Sequence, residues 1–242
     1  NPMSTAGIVA EYNPFHNGHA YHIARTRENG ASAVVCVMSS WFVQRGETAL
    51  MHPNARARMA LMNGADLVVS LPVPWACAAA QTFARGAVGL LDAMGCVDTL
   101  SFGSECGDTE TLKAVAAALE SDAFAALLRQ RLAEGTSFAA AREAAARKLL
   151  GEKAAVLAQP NDILGVEYCK AILELGASLV PIPLPRQGAG HGQALTETGG
   201  QFASASALRT LWQNGGADAA APYVPAEVLP LYREAFAAGQ YT

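Results

Sequence analysis

Three of the chain's five histidines, His16, His19 and His22, fall together just past an apolar run that breaks at Asn13-Pro14. Two of them frame a glycine in His16-Asn17-Gly18-His19, and a helical pattern follows. Imidazoles placed there can donate hydrogen bonds to phosphate oxygens, most usefully where charge grows in a transition state. Gly18 lets the backbone come close to a ligand. The start of the following helix offers N–H groups and a positive dipole end to an anion. A nucleotide phosphate site accounts for the grouping most economically. Zinc is the weaker reading, because no nearby cysteine completes a ligand set and Asn17-Gly18 breaks the helical spacing.

A second segment, Phe202-Ala203-Ser204-Ala205-Ser206-Ala207-Leu208-Arg209, sets two hydroxyls at a helix start and an arginine about one turn later. That is another phosphate cradle. Taken alone, it reads as a serine N-cap on a surface helix; the histidine segment is what gives it weight.

Positioning these groups requires a scaffold, and strands alternate with helices over most of the chain. Strands are expected at 6–11, 33–38, 66–71, 97–102 and 178–184. Helices are expected from Asn17 or Gly18 to 28, then at 53–62, 76–94, 160–175, 204–213 and 225–238. Asp108 caps a helix over 109–119, and Asp122 and Thr136 cap two more reaching 150. The pattern predicts an α/β fold, a Rossmann-like open parallel sheet, forming a single domain over 3–242 with a helical insertion at about 109–150. In such sheets ligands bind beyond the carboxyl ends of the strands. The irregular stretches on that edge hold His16, His19, Arg45, Glu105, Arg186 and His191, and the glycine-rich run over 185–201 reads as an active-site loop.

Composition narrows the class. At 51% hydrophobic and 16% charged residues, the chain is globular rather than disordered. A net charge of -4 shows no basic excess that would advertise nucleic acid, although a local patch would suffice. Five cysteines without a C-x-x-C pair suit a reduced, cytoplasmic setting. No apolar run has membrane-spanning length and no signal peptide is visible. Asn1-Pro2, ahead of Met3, are expected to be an appended scar.

The paired His16-to-His19 and Ser204-to-Arg209 segments resemble the HxGH and (S/T)xSxxR signatures of the HIGH nucleotidyltransferase superfamily. The wording is similar in particular to the bacterial tRNA(Met) cytidine acetate ligases. The residues that carry this are Val9 through His19, Phe42-Val43-Gln44-Arg45-Gly46-Glu47, Asn63-Gly64-Ala65-Asp66-Leu67-Val68, Ser101-Phe102-Gly103-Ser104-Glu105, Pro160-Asn161-Asp162-Ile163-Leu164-Gly165 and Arg186-Gln187-Gly188-Ala189-Gly190. The likeness runs from about residue 6 to about 214. Members of that family are longer and carry a further C-terminal helical region. Ser40-Trp41-Phe42 stands where they have a Gly-Asn-Phe-like run, and His191-Gly192-Gln193 where they have Tyr-His-Asp.

The resemblance implies an ATP-dependent ligase that activates acetate as acetyl-adenylate and passes the acetyl group to N4 of the wobble cytidine of elongator tRNA(Met). It implies an ATP site built from Val9, Ala10, Glu11, Tyr12, Asn13, Pro14, Phe15, Asn17, Gly18, His22, Gly103, Asn161, Arg186 and Gln187. His16 and His19 would stabilise the developing charge, and Ser204, Ser206 and Arg209 would hold the departing pyrophosphate. Mg2+ is a reasonable assistant, although no residue declares itself its ligand. Two other readings stand beside this one: transfer of a nucleotidyl group onto a small phosphorylated cofactor precursor, and a nucleotide-binding homologue without RNA activity.

Arg45 can contact acetate, phosphate or RNA, or pair with Glu47. Asp66 reads as a helix-to-strand turn residue. Arg129, Arg131, Arg142, Arg147, Lys148 and Lys153 can bind tRNA backbone or form a solvated face interleaved with Glu134, Glu143 and Glu152.

Overall fold

A computed structural model describes residues 4–185 and 201–239. The first two apolar runs form β1 (Thr5–Ala10) and β2 (Ala33–Ser39), parallel, with Ile8 opposite Cys36. Side chains alternate across a strand, so an unbroken apolar run needs cover on both faces. Val35 and Val37 of β2 accordingly enter one core, and Val34, Cys36 and Met38 enter another on the opposite face. The remaining strands are β3 (Leu67–Leu71), β4 (Thr99–Ser104) and β5 (Val180–Pro185), and the all-parallel order is β3-β2-β1-β4-β5.

Ten α-helices lie among the described residues. They are α1 (Asn17–Glu28), α2 (Pro53–Met62), α3 (Val73–Ala76), α4 (Ala80–Ala93), α5 (Thr109–Leu119), α6 (Asp122–Ala133), α7 (Phe138–Leu150), α8 (Pro160–Leu175), α9 (Ala205–Gly215) and α10 (Leu229–Ala237). Ile23 of α1, Met59 of α2, Trp212 of α9 and Tyr232 of α10 pack on one face of the sheet. Leu91 of α4, Val115 of α5 and Val166 of α8 pack on the other. The strand-free stretch α5–α7 joins the same core: Val115 of α5, Phe124 of α6 and Ala145 of α7 enter it beside α4 and α8.

Several boundaries differ from the sequence expectation. The helix expected at 76–94 begins only at Ala80, as α4, and the short α3 precedes it; Trp75 of α3 packs on α4, where a Cβ on Gly86 would meet its ring at 2.6 Å. The caps of α6 and α7 are Ser121 and Ser137 rather than Asp122 and Thr136. Asp122 instead occupies the first turn of α6, where its charge suits the helix dipole. The expected tail helix begins with a 3-10 turn, Ala226–Val228, before α10.

β5 is an edge strand. Val180 N–H donates inward to Asp98 O at 3.0 Å, so Val180, Ile182 and Leu184 direct their amides at β4. Pro181, Pro183 and Pro185 alternate with them and leave the outer edge without those donors, which blocks further pairing.

Candidate active site

Beyond the carboxyl ends of β1 and β4, where the strand order reverses, opens a cavity of about 550 Å3. Its wall includes Val9, Ala10, Glu11, Tyr12, Asn13, His16, Gly18, His19 and His22 from the first segment. It also includes Gly103 and Asn161, and then Ser204, Ser206 and Arg209. The two phosphate cradles seen in the sequence therefore face one space. Arg209 Nη1 joins them directly by donating to Asn13 O at 2.8 Å.

The histidines are fixed by the helix they begin. His16 is the N-cap of α1, and its Nδ1 accepts from Gly18 N at 3.0 Å. His19 Nδ1 accepts from His16 N at 3.3 Å, closing a reciprocal capping box. A neutral imidazole whose Nδ1 accepts must carry its proton on Nε2. Both rings are therefore held as Nε2–H tautomers, the form that donates to an oxygen. They stack with centroids 3.8 Å apart, and Tyr12 packs edge-on against His19. Gly18 has a role the sequence did not reveal. A Cβ there would stand 2.9 Å from Cε1 and 3.0 Å from Nδ1 of His16, so the glycine makes room for the capping ring.

His22 meets the sheet instead, with Nε2 3.0 Å from Ser101 Oγ, which itself lies 2.7 Å from Thr26 Oγ1. Pro14, Phe15 and Asn17, expected at the nucleotide, lie behind the wall. Phe15 is wholly buried in the core, and Tyr232 of α10 donates to its carbonyl. Asn17 Nδ2 donates to Gln201 O at 2.9 Å and Pro222 O at 3.3 Å. These residues fasten the histidine turn from the rear. Arg186, Gln187 and His191 lie outside the described residues.

The opposite wall is set by two neighbouring carboxylates. Asp162 at the start of α8 accepts from Ser104 Oγ, Glu105 N and Cys106 N. Glu105 answers by accepting from Asn161 Nδ2 at 2.6 Å and Asp162 N at 2.9 Å. The exchange clips the end of β4 to the start of α8 and presents Gly103 and Asn161 to the cavity.

A third wall is the loop from Ser40 to His52, which contributes Val43, Gln44, Arg45 and Glu47. Glu11 Oε1 accepts from Gln44 N at 2.8 Å, and Asn13 Oδ1 accepts from Leu50 N at 2.7 Å. Its main fastening is Arg56, wholly buried and donating to the carbonyls of Glu11, Ser39, Ser40 and Met51. Burial lowers the Arg56 pKa to about 10, opposed by the nearby Glu11 charge, so the guanidinium stays charged at neutral pH. Sequence reading passed over Arg56. Its signal was a charge sharing the buried helix stripe of Met59 and Ala60, one turn on.

Arg45 forms no ion pair with Glu47 among the described residues. Asp66 is structural, accepting from Arg27 Nη2 and Val34 N on the far side of the sheet. Of the basic residues of α6 and α7, Arg131 pairs with Glu134, Arg142 with Glu167 and Arg147 with Glu143. Three of the five basic residues of these two helices are therefore ion-paired, Arg131 and Arg147 at the surface and Arg142 with a buried carboxylate.

Known proteins share this fold and much of this sequence. The profile of the family described as HIGH Nucleotidyl Transferase matches residues 3–242. The tRNA(Met) cytidine acetate ligase of Caldanaerobacter subterraneus subsp. tengcongensis is 42% identical, across 98% of this chain and 60% of its own length. The protein of the same name from Syntrophotalea carbinolica is 48% identical, across 86% of this chain and 50% of its own. The crystal structure of Thermotoga maritima TmcAL bound with alpha-thio ATP superposes with a TM-score of 0.90 at 36% identity, covering 99% of this chain and 57% of that one. The chain thus spans a little over half the length of the relatives it matches. Among the described residues no helix is long and apolar enough to cross a membrane.

Proposed function

Because this chain belongs to the HIGH nucleotidyl transferase family, we propose that its cavity binds ATP and uses it to activate acetate. A carboxylate oxygen bonds to the α-phosphorus as the bond from that phosphorus to the bridging oxygen breaks. This gives acetyl-adenylate and pyrophosphate. N4 of the wobble cytidine of elongator tRNA(Met) then attacks the acetyl carbon, AMP leaves, and the N4 proton passes to solvent or to the departing phosphate.

The observation that carries this reading is the meeting of two anion cradles on one cavity, linked by the Arg209–Asn13 hydrogen bond. In-line displacement at phosphorus needs positioning and charge neutralisation more than a covalent nucleophile. This cavity supplies hydrogen-bond donors: the His16 and His19 Nε2–H groups, the Ser204 and Ser206 hydroxyls, and the Arg209 guanidinium. Ser204 Oγ caps α9 by accepting from Ala207 N at 3.2 Å, and lies 3.1 Å from Ser206 Oγ. The pyrophosphate side therefore has a helix N-terminus behind it.

In this reading Gly103 and Asn161 hold the adenosine part, together with Arg186 and Gln187, which lie outside the described residues. Mg2+ would be held chiefly by the phosphates, since no group of three His, Cys, Asp or Glu among the described residues could hold a metal ion. Five free cysteines and a tRNA substrate suit the cytoplasm.

The test is incubation with ATP, radiolabelled acetate and unmodified elongator tRNA(Met). Labelled N4-acetylcytidine is the expected product. Acetate-dependent exchange of pyrophosphate into ATP should be abolished in His19→Ala with the fold retained. Exchange that ignores acetate in the wild type, or survives intact in that variant, would refute the assignment.

A further inference from the structure

The loop that forms the third wall is held rigidly, yet it carries an exposed indole. Ala49 N donates to Trp41 O at 2.8 Å, and Val43 N donates to Glu47 O at 2.9 Å. Phe42 pairs with Thr48 as an antiparallel bridge. Arg56 holds the carbonyl of Ser40, one residue before. The backbone is thus pinned on both sides of Trp41, while its side chain remains 55% exposed. The indole packs at right angles to His52, with centroids 4.6 Å apart and planes at 77°. Two residues on, the same loop becomes cavity wall, and Arg45 is both exposed and part of that wall.

Chemistry on a base requires that base to leave its stack, which strips its neighbour of a stacking partner as well. A fixed aromatic face at the mouth of the site replaces that partner for any base, since every base has a π-face. The surroundings favour nucleic acid over protein. Phe42, the next residue, is exposed as well, but Arg45, Gly46, Glu47 and Thr48 further along the same loop are exposed and not apolar, so the aromatic pair is bordered by polar chain rather than set in the apolar core of a protein-docking patch.

We propose that Trp41 is a stacking platform for the nucleobase next to the one that enters the cavity, in a single-stranded RNA loop, with Arg45 meeting the adjoining phosphate. This rests on the reading of RNA as the acyl acceptor.

The experiment is a fluorescence titration of the chain with an anticodon stem-loop RNA carrying the unmodified wobble cytidine, run beside acetate-dependent pyrophosphate exchange. The RNA should quench the wild-type tryptophan emission. Trp41→Ala should weaken binding about ten- to a hundred-fold, and Trp41→Phe should restore part of it. Exchange should be unchanged in both variants, because it does not involve RNA. Equal RNA affinity in Trp41→Ala and wild type, no RNA binding by the wild type, or loss of exchange in Trp41→Ala would each overturn the assignment. Absence of acetate-dependent exchange in the wild type would instead sink the adenylation reading, and the RNA titration would still decide the role of Trp41.

Discussion

Gly18→Ala separates catalysis from stability. The backbone at Gly18 is helical, so alanine meets no conformational barrier there. The obstacle is the ring of His16, whose Cε1 and Nδ1 would lie 2.9 and 3.0 Å from the new carbon. The ring cannot simply turn away, because Nδ1 caps Gly18 N at 3.0 Å and the ring stacks on His19 at 3.8 Å. Relief requires a shift of about half an ångström, and with it a weakened cap.

Loss of a cap costs about 1 kcal/mol, while alanine in place of glycine inside a helix returns about 0.5–1 kcal/mol. The two nearly cancel, so the unfolding free energy should change by less than about 1 kcal/mol. Catalysis has no such offset. A displacement of about 1 Å in a positioned group costs on the order of a hundred-fold, so kcat/KM for acetate-dependent pyrophosphate exchange should fall about ten- to a hundred-fold. Exchange kinetics measured beside denaturant unfolding would show both. A variant with unaltered kcat/KM would refute the claim that Gly18 serves the His16 ring, and one that fails to fold would refute the compensation.

Two further predictions follow from buried groups. Arg56→Met leaves the carbonyls of Glu11, Ser39, Ser40 and Met51 without their donor, and should destabilise the fold by about 3–5 kcal/mol, the scale of breaking a buried charged network. Denaturant unfolding checks this; a loss below about 1 kcal/mol would show that the loop is held by other means. Burial raises the Cys36 thiol from 9.0 to about 11 and the Cys169 thiol from 9.0 to about 12. The native state therefore keeps protons that the unfolded chain gives up. Stability is complete below about pH 9 and lost as pH rises through about 11 to 12, with the buried Tyr12, Tyr168 and Tyr232 acting in the same direction. Each pKa unit is worth about 1.4 kcal/mol, so the unfolding free energy should fall by several kcal/mol between pH 8 and 11 and less steeply in Cys169→Ala; a flat profile would contradict this.

Much of the candidate site was legible because the residues that meet at the cavity are local in sequence. His16, Gly18 and His19 sit within one strand-to-helix turn, and Ser204, Ser206 and Arg209 within one helix start. Short apolar runs bounded by glycine and proline located the strands around them, and capping and stop signals the helices. What spacing does not carry is which member of a motif faces the ligand. Val9 through His19 reads as one continuous site, yet Pro14, Phe15 and Asn17 turn away from the cavity. Asn17 finds its partners in Gln201 and Pro222, and Phe15 in Tyr232, at separations of 184, 205 and 217 positions.

The sequence by itself determined the elements, the two anion cradles and the sheet edge they occupy, since each follows from residue types at short range. Only the tertiary structure decided the back of the site. Arg56 left only a faint signal in the sequence, a charge on a buried helix stripe, because a buried charge is defined by the carbonyls that converge on it, and those come from the residue after β1, the end of β2 and the loop ahead of α2. Gly18 lines the cavity, and only the structure showed that a side chain there would also meet the His16 ring. Both belong to chain closure: a buried polar group must find its partners wherever the fold brings them, and sequence spacing does not encode that encounter.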